Sequence, residues 1–238
     1  MKTIYIITGG TMVHVTPHFS LCAPAYGQVG TEIYERLSAL AAAATPPSSC
    51  QVHLIKTRMA GRNHPETIAH LTALGAPTSP ETNHELGNLV DALLRSPDTS
   101  GLIMAAAICD FQPEELTATG EEGFVTMLHF GKEQERLHHV ESLMLKLQPS
   151  EKIIDRVKKE RPEIRLVTFK TTAGMGEEAL IRQARYNLQR SQSDMVFAND
   201  IQHHLNLVVT AQGERLRGAD RKATIDLFCQ HFWEMVNG

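Results

Sequence analysis

Two rhythms of apolar and polar positions run along this chain. Short apolar runs end at glycine, proline or acidic breaks, and between them lie segments whose apolar residues recur three or four apart. Ile4-Tyr5-Ile6-Ile7 is the first run and predicts a strand that breaks at Thr8-Gly9-Gly10-Thr11. Ile33, Tyr34, Leu37, Leu40 and Ala41 predict a helix from Thr31 to Ala44, ended by Thr45-Pro46-Pro47-Ser48-Ser49. Gln51 to Ile55 reads as a second strand, Pro65 to Leu74 as a short helix, and Ser79 to Leu94 as a longer one. Pro80 would occupy the first turn of that longer helix, where Glu81 suits the dipole. Leu102-Ile103-Met104-Ala105-Ala106-Ala107-Ile108 is a near-continuous apolar run, the mark of a central parallel strand covered on both faces. Further strands are expected at Val140 to Leu147, Leu166 to Lys170 and Asp194 to Ala198. Helices are expected at Glu151 to Glu160, Glu177 to Gln192 and Lys222 to Val236, and a hairpin from Leu207 through Gly213. Residues 12–26 and 58–64 read as loops, and 114–140 as an extended flap or hairpin.

This alternation predicts an α/β protein of three layers, a mostly parallel sheet with helices on both faces, over one domain spanning 1–238. Right-handed crossovers bring the tips of the first strand and of those ending at Ala107 and Ala198 to one edge of the sheet. In such sheets ligands bind beyond the carboxyl ends of the strands. Asp110, in Cys109-Asp110-Phe111, and Asn199-Asp200 fall there, beside the glycine turn of Gly9, Gly10 and Thr11. Glycines let a backbone approach a phosphate closely, and N–H groups at a turn or helix start face the anion. The spacing is neither G-x-G-x-x-G nor G-x-x-x-x-G-K-[ST]. A nucleotide-sized site is the expectation, with the helix after Pro149 offering its N-terminus to phosphate. The bland roles are turn glycines, a strand-end Asn-Asp turn and a solvated arginine face on the helix after Gly176.

Composition narrows this reading. A net charge of −4 opposes a general nucleic-acid binder, and no apolar run approaches the ~20 residues of a membrane span. Met1-Lys2-Thr3 runs straight into a four-residue strand, so no secretory signal is expected. The four cysteines, Cys22, Cys50, Cys109 and Cys229, are scattered without a C-x-x-C pair, which suits reduced thiols in a cytoplasmic protein. The pairs His138-His139 and His203-His204 tempt a metal reading, but neighbours on a strand point to opposite faces. No protein metal site is expected.

The set Ile7-Thr8-Gly9-Gly10-Thr11, Ala106-Ala107-Ile108-Cys109-Asp110-Phe111, Leu145-Lys146-Leu147 with Lys152-Ile153-Ile154, Val167-Thr168-Phe169-Lys170 and Phe197-Ala198-Asn199-Asp200 resembles phosphopantothenate–cysteine ligase, most closely its stand-alone bacterial form. The resemblance runs in order over nearly the whole chain and implies a modified Rossmann-like fold, usually a homodimer. It also implies a two-step ligation: CTP, or ATP, with Mg2+ activates the carboxylate of 4′-phosphopantothenate as an acyl-nucleotidylate, and the amine of cysteine then attacks it. By resemblance, Gly9, Gly10, Thr11, Asp110, Lys152, Phe169, Arg185, Arg190, Asn199 and Asp200 bind nucleotide, with Phe169 beside the base. Tyr26, Gly27 and Gly30 bind the acid, and Lys132 or Arg136 is the flap cation that joins Asp110 in catalysis. One stretch departs from the family. Its second glycine motif has an asparagine and hydroxyl residues where this chain has Ala23-Pro24-Ala25-Tyr26-Gly27. A site that loses hydrogen-bond donors rejects its old ligand strongly. Two alternatives therefore stand beside the ligase, a relative that activates another acid and a nucleotide-binding protein without ligase activity. A nicotinamide-dependent reductase lacks the glycine fingerprint it would need.

Overall fold

The computed structural model describes residues 1–44, 50–120, 125–134, 136 and 140–238. The breaker Thr45 to Ser49, Gly123 of the flap and the His138-His139 pair lie outside the described residues. In chain order the elements begin with β1 (Lys2–Gly10), β2 (Met12–Thr16), β3 (Phe19–Cys22), α1 (Gln28–Ala43), β4 (Cys50–Lys56), α2 (Pro65–Ala73), α3 (Asn83–Arg95) and β5 (Thr99–Ala107). Next come β6 (Phe111–Thr119), β7 (Val125–Leu128), β8 (Ser142–Pro149), α4 (Val157–Glu160), β9 (Arg165–Thr172), α5 (Glu177–Ser191), β10 (Met195–Asp200), β11 (Leu205–Thr210), β12 (Arg215–Leu216) and α6 (Arg221–Asn237).

Seven strands form the central sheet in the order β12-β11-β10-β9-β5-β1-β4. The five from β4 to β10 are parallel, β11 pairs antiparallel with β10, and β12 pairs antiparallel with β11. Successive residues of β1 serve opposite faces. Tyr5 and Ile7 pack with Leu71 of α2 and Leu86, Leu89, Val90 and Leu93 of α3, while Ile4 and Ile6 pack with Ile33 and Leu37 of α1 and Phe228 and Phe232 of α6. α5 covers Val196, Ala198 and Val209. Each such fully buried side chain stabilises the fold by about 1.5–3 kcal/mol. α1 and α6 lie side by side, joined by an ion pair between Arg36 and Asp226. The expected three-layer architecture is present.

Four expectations are corrected. Residues 12–22 are not loop but the hairpin β2–β3, whose Val13, Val15 and Thr16 favour extended backbone. The long helix before β5 starts at Asn83, not Ser79. Thr82 and Glu85 form a capping box, in which the Thr82 hydroxyl accepts the Glu85 N–H at 3.1 Å and the Glu85 carboxylate accepts the Thr82 N–H at 3.2 Å. Pro80 therefore lies before the helix, held by a hydrogen bond from the Arg58 N–H to its carbonyl. The stretch expected as a helix from Glu151 is a 3-10 turn at Ile153–Arg156 followed by the single turn α4. Burying Ile153, Ile154 and Val157 together against the core uses this tighter winding, and no long helix offers its N-terminus there. Finally, His203 and His204 lie in a turn, His204 with φ +52°, and not on a strand. The expected flap is a three-stranded antiparallel sheet in the order β7-β6-β8.

Candidate functional site

β1 and β5 stay paired to their tips, Gly10 against Ala107. β5 and β9 pair only from Gly101–Arg165 to Met104–Thr168 and then part. Beyond that point the small Ala105, Ala106 and Ala107 face Phe169, Lys170 and Thr171 across an open crevice. The crevice widens into a cavity of about 570 Å3 at the carboxyl edge of the sheet. Ala23, Pro24 and Ala25 before α1, and Val29 in its first turn, form one wall. Asp110, Glu151, Lys152 and Ile153 form a second, Asn187 and Arg190 of α5 a third, and Asn199, Asn206 and Arg221 a fourth.

Four cations, Lys152, Lys170, Arg190 and Arg221, line this space against two carboxylates, Asp110 and Glu151. Lys152 is paired with Asp110, and Arg190 with Asp155 at 2.8 Å, while Arg190 also donates to the side-chain amide oxygen Oδ1 of Asn187 at 2.9 Å. Lys170 and Arg221 form no ion pair among the described residues. The cavity therefore carries a surplus of positive charge suited to a polyanion. Phe169 stacks on buried Phe197 with ring centroids 5.3 Å apart and leaves its other side to the cavity. The Thr171 hydroxyl donates to Asn199 at 2.8 Å, and Asn199 lies opposite Asn206 in the ladder, so three polar side chains stand abreast on β9, β10 and β11.

Of the residues expected at a nucleotide site, Asp110, Lys152, Phe169, Arg190 and Asn199 come together here. Several others do not line the cavity. Gly9 has φ +106°, and a side chain there would collide with Thr57 and Ala60. At Gly10 a side chain would collide with Ala23 and Met59. Both glycines allow close packing of the chain at these positions. The Thr11 hydroxyl donates to Asn83 at 2.6 Å and accepts the Cys109 N–H at 2.9 Å, and Asn83 in turn donates to the Cys109 carbonyl at 2.8 Å. Thr11 thus holds the β5 tip in place. Gly27 takes a left-handed conformation, φ +82°, to start α1, and Gly30 presses α1 onto Thr8. Tyr26 is 75% exposed and is not among the residues that line the cavity. Arg185 is exposed on α5, outside the lining.

Asp200 is buried beneath the site. Its carboxylate accepts N–H groups of Gly174, Met175, Gln202 and His203 and the Thr172 hydroxyl. Burial works to raise its pKa, but these donors prevail and hold it well below the usual carboxylate range. It organises the turns that follow β9 and β10. In the flap, Lys132 pairs with Glu81 at 3.3 Å, together with Arg58 at 3.1 Å, and Arg136 is exposed; neither cation lines the cavity. Burial also works against the Glu81 charge, yet the Lys132 hydrogen bond and the charges of Arg58, Lys132 and His14 pull its pKa down. Cys109 is buried at the strand tip, its thiol donates to the Phe111 carbonyl at 3.3 Å, and burial raises its pKa. Asn206, Arg221 and Asn187 are lining residues that sequence reasoning missed. No motif surrounds them, although Arg221 directly follows the α6 cap, Asp220.

No helix among the described residues is long and apolar enough to cross a membrane. Among known proteins, the coenzyme A biosynthesis bifunctional protein CoaBC of Thermococcus kodakarensis is 26% identical over 200 residues, 84% of this chain and 41% of that protein. The chain thus spans about two fifths of that relative's length. A solved DNA/pantothenate metabolism flavoprotein from Streptococcus pneumoniae superposes with a TM-score of 0.68 at 21% identity, covering 100% of this chain and 98% of that one. A histidine-to-alanine variant of Cab2, in complex with phosphopantothenate-cysteine, superposes with a TM-score of 0.66 at 16% identity, covering 99% and 86%. These likenesses establish a shared fold. The family described as DNA/pantothenate metabolism flavoprotein C-terminal domain matches residues 1–223, and the chain belongs to that family.

Proposed function

We propose that the chain is a nucleotide-dependent acid–amine ligase of coenzyme A biosynthesis that joins 4′-phosphopantothenate to cysteine. One observation carries this reading: the cavity beyond β5 and β9 gathers Asp110, Lys152, Phe169, Arg190 and Asn199 with a surplus of cations, in a chain of this family. The CoaBC relative and the Cab2 complex with phosphopantothenate-cysteine point to the same chemistry.

On this reading the base of CTP, or ATP, stacks on Phe169, and Asn199 and Thr171 meet its polar edge. Arg190, Lys152 and Lys170 neutralise the triphosphate. The acid lies along Ala23 to Val29 with its carboxylate towards the α-phosphorus. A carboxylate oxygen forms a bond to that phosphorus and pyrophosphate leaves. The amine of cysteine then bonds to the acyl carbon, loses a proton, and nucleoside monophosphate departs. Magnesium fits the donor set, because a triphosphate-bound ion needs only one or two protein carboxylates and Asp110 and Glu151 both face the cavity. When bound, it would add neutralising charge to the phosphates. Lys132 or Arg136 would complete the site by movement of the flap. A homodimeric, cytoplasmic enzyme completes the reading.

The test is pyrophosphate release with CTP or ATP and Mg2+, with and without 4′-phosphopantothenate, followed by cysteine. Release that needs the acid, and a coupled product of the expected mass, is the predicted result. Nucleotide binding without acid-dependent release would overturn the substrate assignment. It would favour a second reading, a relative that activates another carboxylate. That reading draws support from the apolar wall of Ala23, Pro24 and Ala25, which offers no side-chain donor where a phosphorylated acid would need one.

A further inference from the structure

We infer that Asp155, outside the cavity lining, is a positioning residue for the nucleotide: through Arg190 it sets how the phosphates are met. The inference rests on the ligase reading, which makes the ligand a nucleoside triphosphate.

Arg190 is carried by the last turn of α5 and lines the cavity. Arginine has five N–H donors on a planar fork. Two of those on Arg190 are committed to the protein: Nη1 donates to the Asp155 carboxylate at 2.8 Å and Nη2 to Oδ1 of Asn187 at 2.9 Å. Asn187 is itself fixed, buried with its amide donating to the Thr168 hydroxyl at 3.2 Å. Anchors on two different nitrogens stop the plane from turning and leave the remaining N–H groups for the cavity. Asp155 reaches α5 from the 3-10 turn after β8, where Ile153 and Ile154 are buried and the Asp155 N–H donates to the Lys152 carbonyl at 3.0 Å. This turn therefore governs two cations of the cavity, Lys152 through the chain and Arg190 through Asp155.

Stability does not account for the contact. Arg190 meets one oxygen of the Asp155 carboxylate; the other, Oδ1, is buried and has no hydrogen-bond partner among the described residues. An unsatisfied buried carboxylate oxygen costs stability, and an apolar side chain would pack there without that cost. Charge does not account for it either. The cavity gathers cations suited to a polyanion, and a carboxylate beside Arg190 subtracts from that charge. What the carboxylate supplies is direction. A guanidinium held in place before the ligand arrives loses less freedom on binding it.

The test is calorimetry of CTP and of ATP, each with Mg2+, on the full chain. Wild type is expected to bind at least one of them, and Asp155→Ala to bind it about tenfold or more weaker, the size of one charge-assisted hydrogen bond. Coulomb attraction alone predicts the opposite sign, because the substitution removes a negative charge. Asp155→Ser, too short to reach the guanidinium but still polar, carries the same expectation and covers a failure of Asp155→Ala to fold. Adding Asp155→Ala to Arg190→Ala should bring no further loss, because the carboxylate acts through that arginine. No nucleotide binding in wild type, equal or tighter binding in the folded Asp155 variants, or a second loss of the same size in the Arg190→Ala background would overturn the inference. If wild type binds nucleotide but releases no pyrophosphate with the acid, the ligase reading fails, while a loss of binding confined to chains that keep Arg190 still upholds the role of Asp155.

Discussion

Replacing Gly10 by alanine tests whether the strand tip and the Ala23–Ala25 wall of the cavity are one mechanical unit. The added Cβ would lie 2.0 Å from the Ala23 carbonyl oxygen, 2.6 Å from the Met59 sulfur and 2.9 Å from the Ala25 nitrogen. Ordinary contact begins at 3.4 Å, so the Ala23 carbonyl must retreat by 3.4 − 2.0 = 1.4 Å. Two of the three obstacles are backbone atoms that cannot swing aside. Ala23 is also tied by its N–H to the Thr11 carbonyl at 2.9 Å, and retreat strains that bond. Overpacking of this kind costs about 1–3 kcal/mol, and a lost backbone hydrogen bond adds about 1 kcal/mol. Urea unfolding should therefore show Gly10→Ala destabilised by roughly 2–4 kcal/mol. Because Ala23 and Ala25 line the cavity, KM for the acid should rise in whatever protein remains folded. Gly120→Ala, with nothing within 4 Å of the new Cβ, serves as the control and should move the midpoint little. A Gly10→Ala protein as stable as the control, with an unchanged KM, would refute the argument that close approach and not conformational freedom places glycine here.

Other outcomes follow from single contacts. Lys158 is buried against Asp194 at 2.6 Å, and Asp194 also accepts the Leu166 N–H at 2.8 Å. Asp194→Ala should thus cost about 3–5 kcal/mol in denaturant, and pairing it with Lys158→Met should recover part of that loss. His53 stacks on His70 at 4.1 Å, and burial, then the charge of His70, lowers its pKa to about 4. Its neutral form is favoured by folding, so this stabilisation is complete above the unfolded pKa of about 6.5. It is lost as the pH falls towards 4, and His53→Phe should flatten the decline in melting temperature over that window. Phe169→Leu should keep the core contact with Phe197 and lose base stacking, raising KM for nucleotide roughly tenfold or more; an unchanged KM would remove Phe169 from the base site. Glu81→Gln weakens the contacts of Lys132 and Arg58, and a changed kcat would show that the flap cation is restrained there.

Much of the fold was legible because the central strands are apolar on both faces and end at breakers. Leu102 to Ala107 and Asp194 to Ala198 are nearly continuous apolar runs, which leaves no competing periodicity. The start of α3 was misplaced because Pro80-Glu81 imitates a helix entry as well as Thr82-Asn83-His84-Glu85 does. The capping hydrogen bonds decide between them, and they need three-dimensional geometry. The hairpin β2–β3 carries little signal in the sequence because its strands are only five and four residues long and meet at Pro17-His18, a breaker that also reads as loop. At the site, Asp110, Phe169 and Asn199 follow from strand tips, and Lys152 and Arg190 from the family resemblance; Arg221, at a helix start, and Asn206, on an antiparallel strand, belong to no recognisable motif. The family resemblance led elsewhere at Asp200, whose side chain faces inward to the turns it organises, while its neighbour Asn199 faces the cavity.

The position of the cavity follows from how the sheet comes apart. β5 could in principle pair with β9 to its tip, but its last three residues are alanines and β9 there carries Phe169, Lys170 and Thr171. The tip of β5 is instead fastened to β1 by its ladder and to α3 through Thr11, Asn83 and Cys109. The tips of β9 and β10 are fastened to each other through Asp200 and the turns it binds. Two separately anchored blocks therefore face each other across a gap that small side chains leave open. Glycines 9 and 10 let the chain pack tightly behind the wall, and the cations from β9, α5, α6 and the turn after β8 supply the charge in front of it. On this account substitutions at the two fasteners should act on catalysis through the width of the crevice. Asp200→Ala should lower activity without removing any group from the cavity lining, and Asp200→Asn, which keeps an acceptor, should restore part of it. Activity of Asp200→Ala equal to wild type would show that this fastener does not set the width of the crevice.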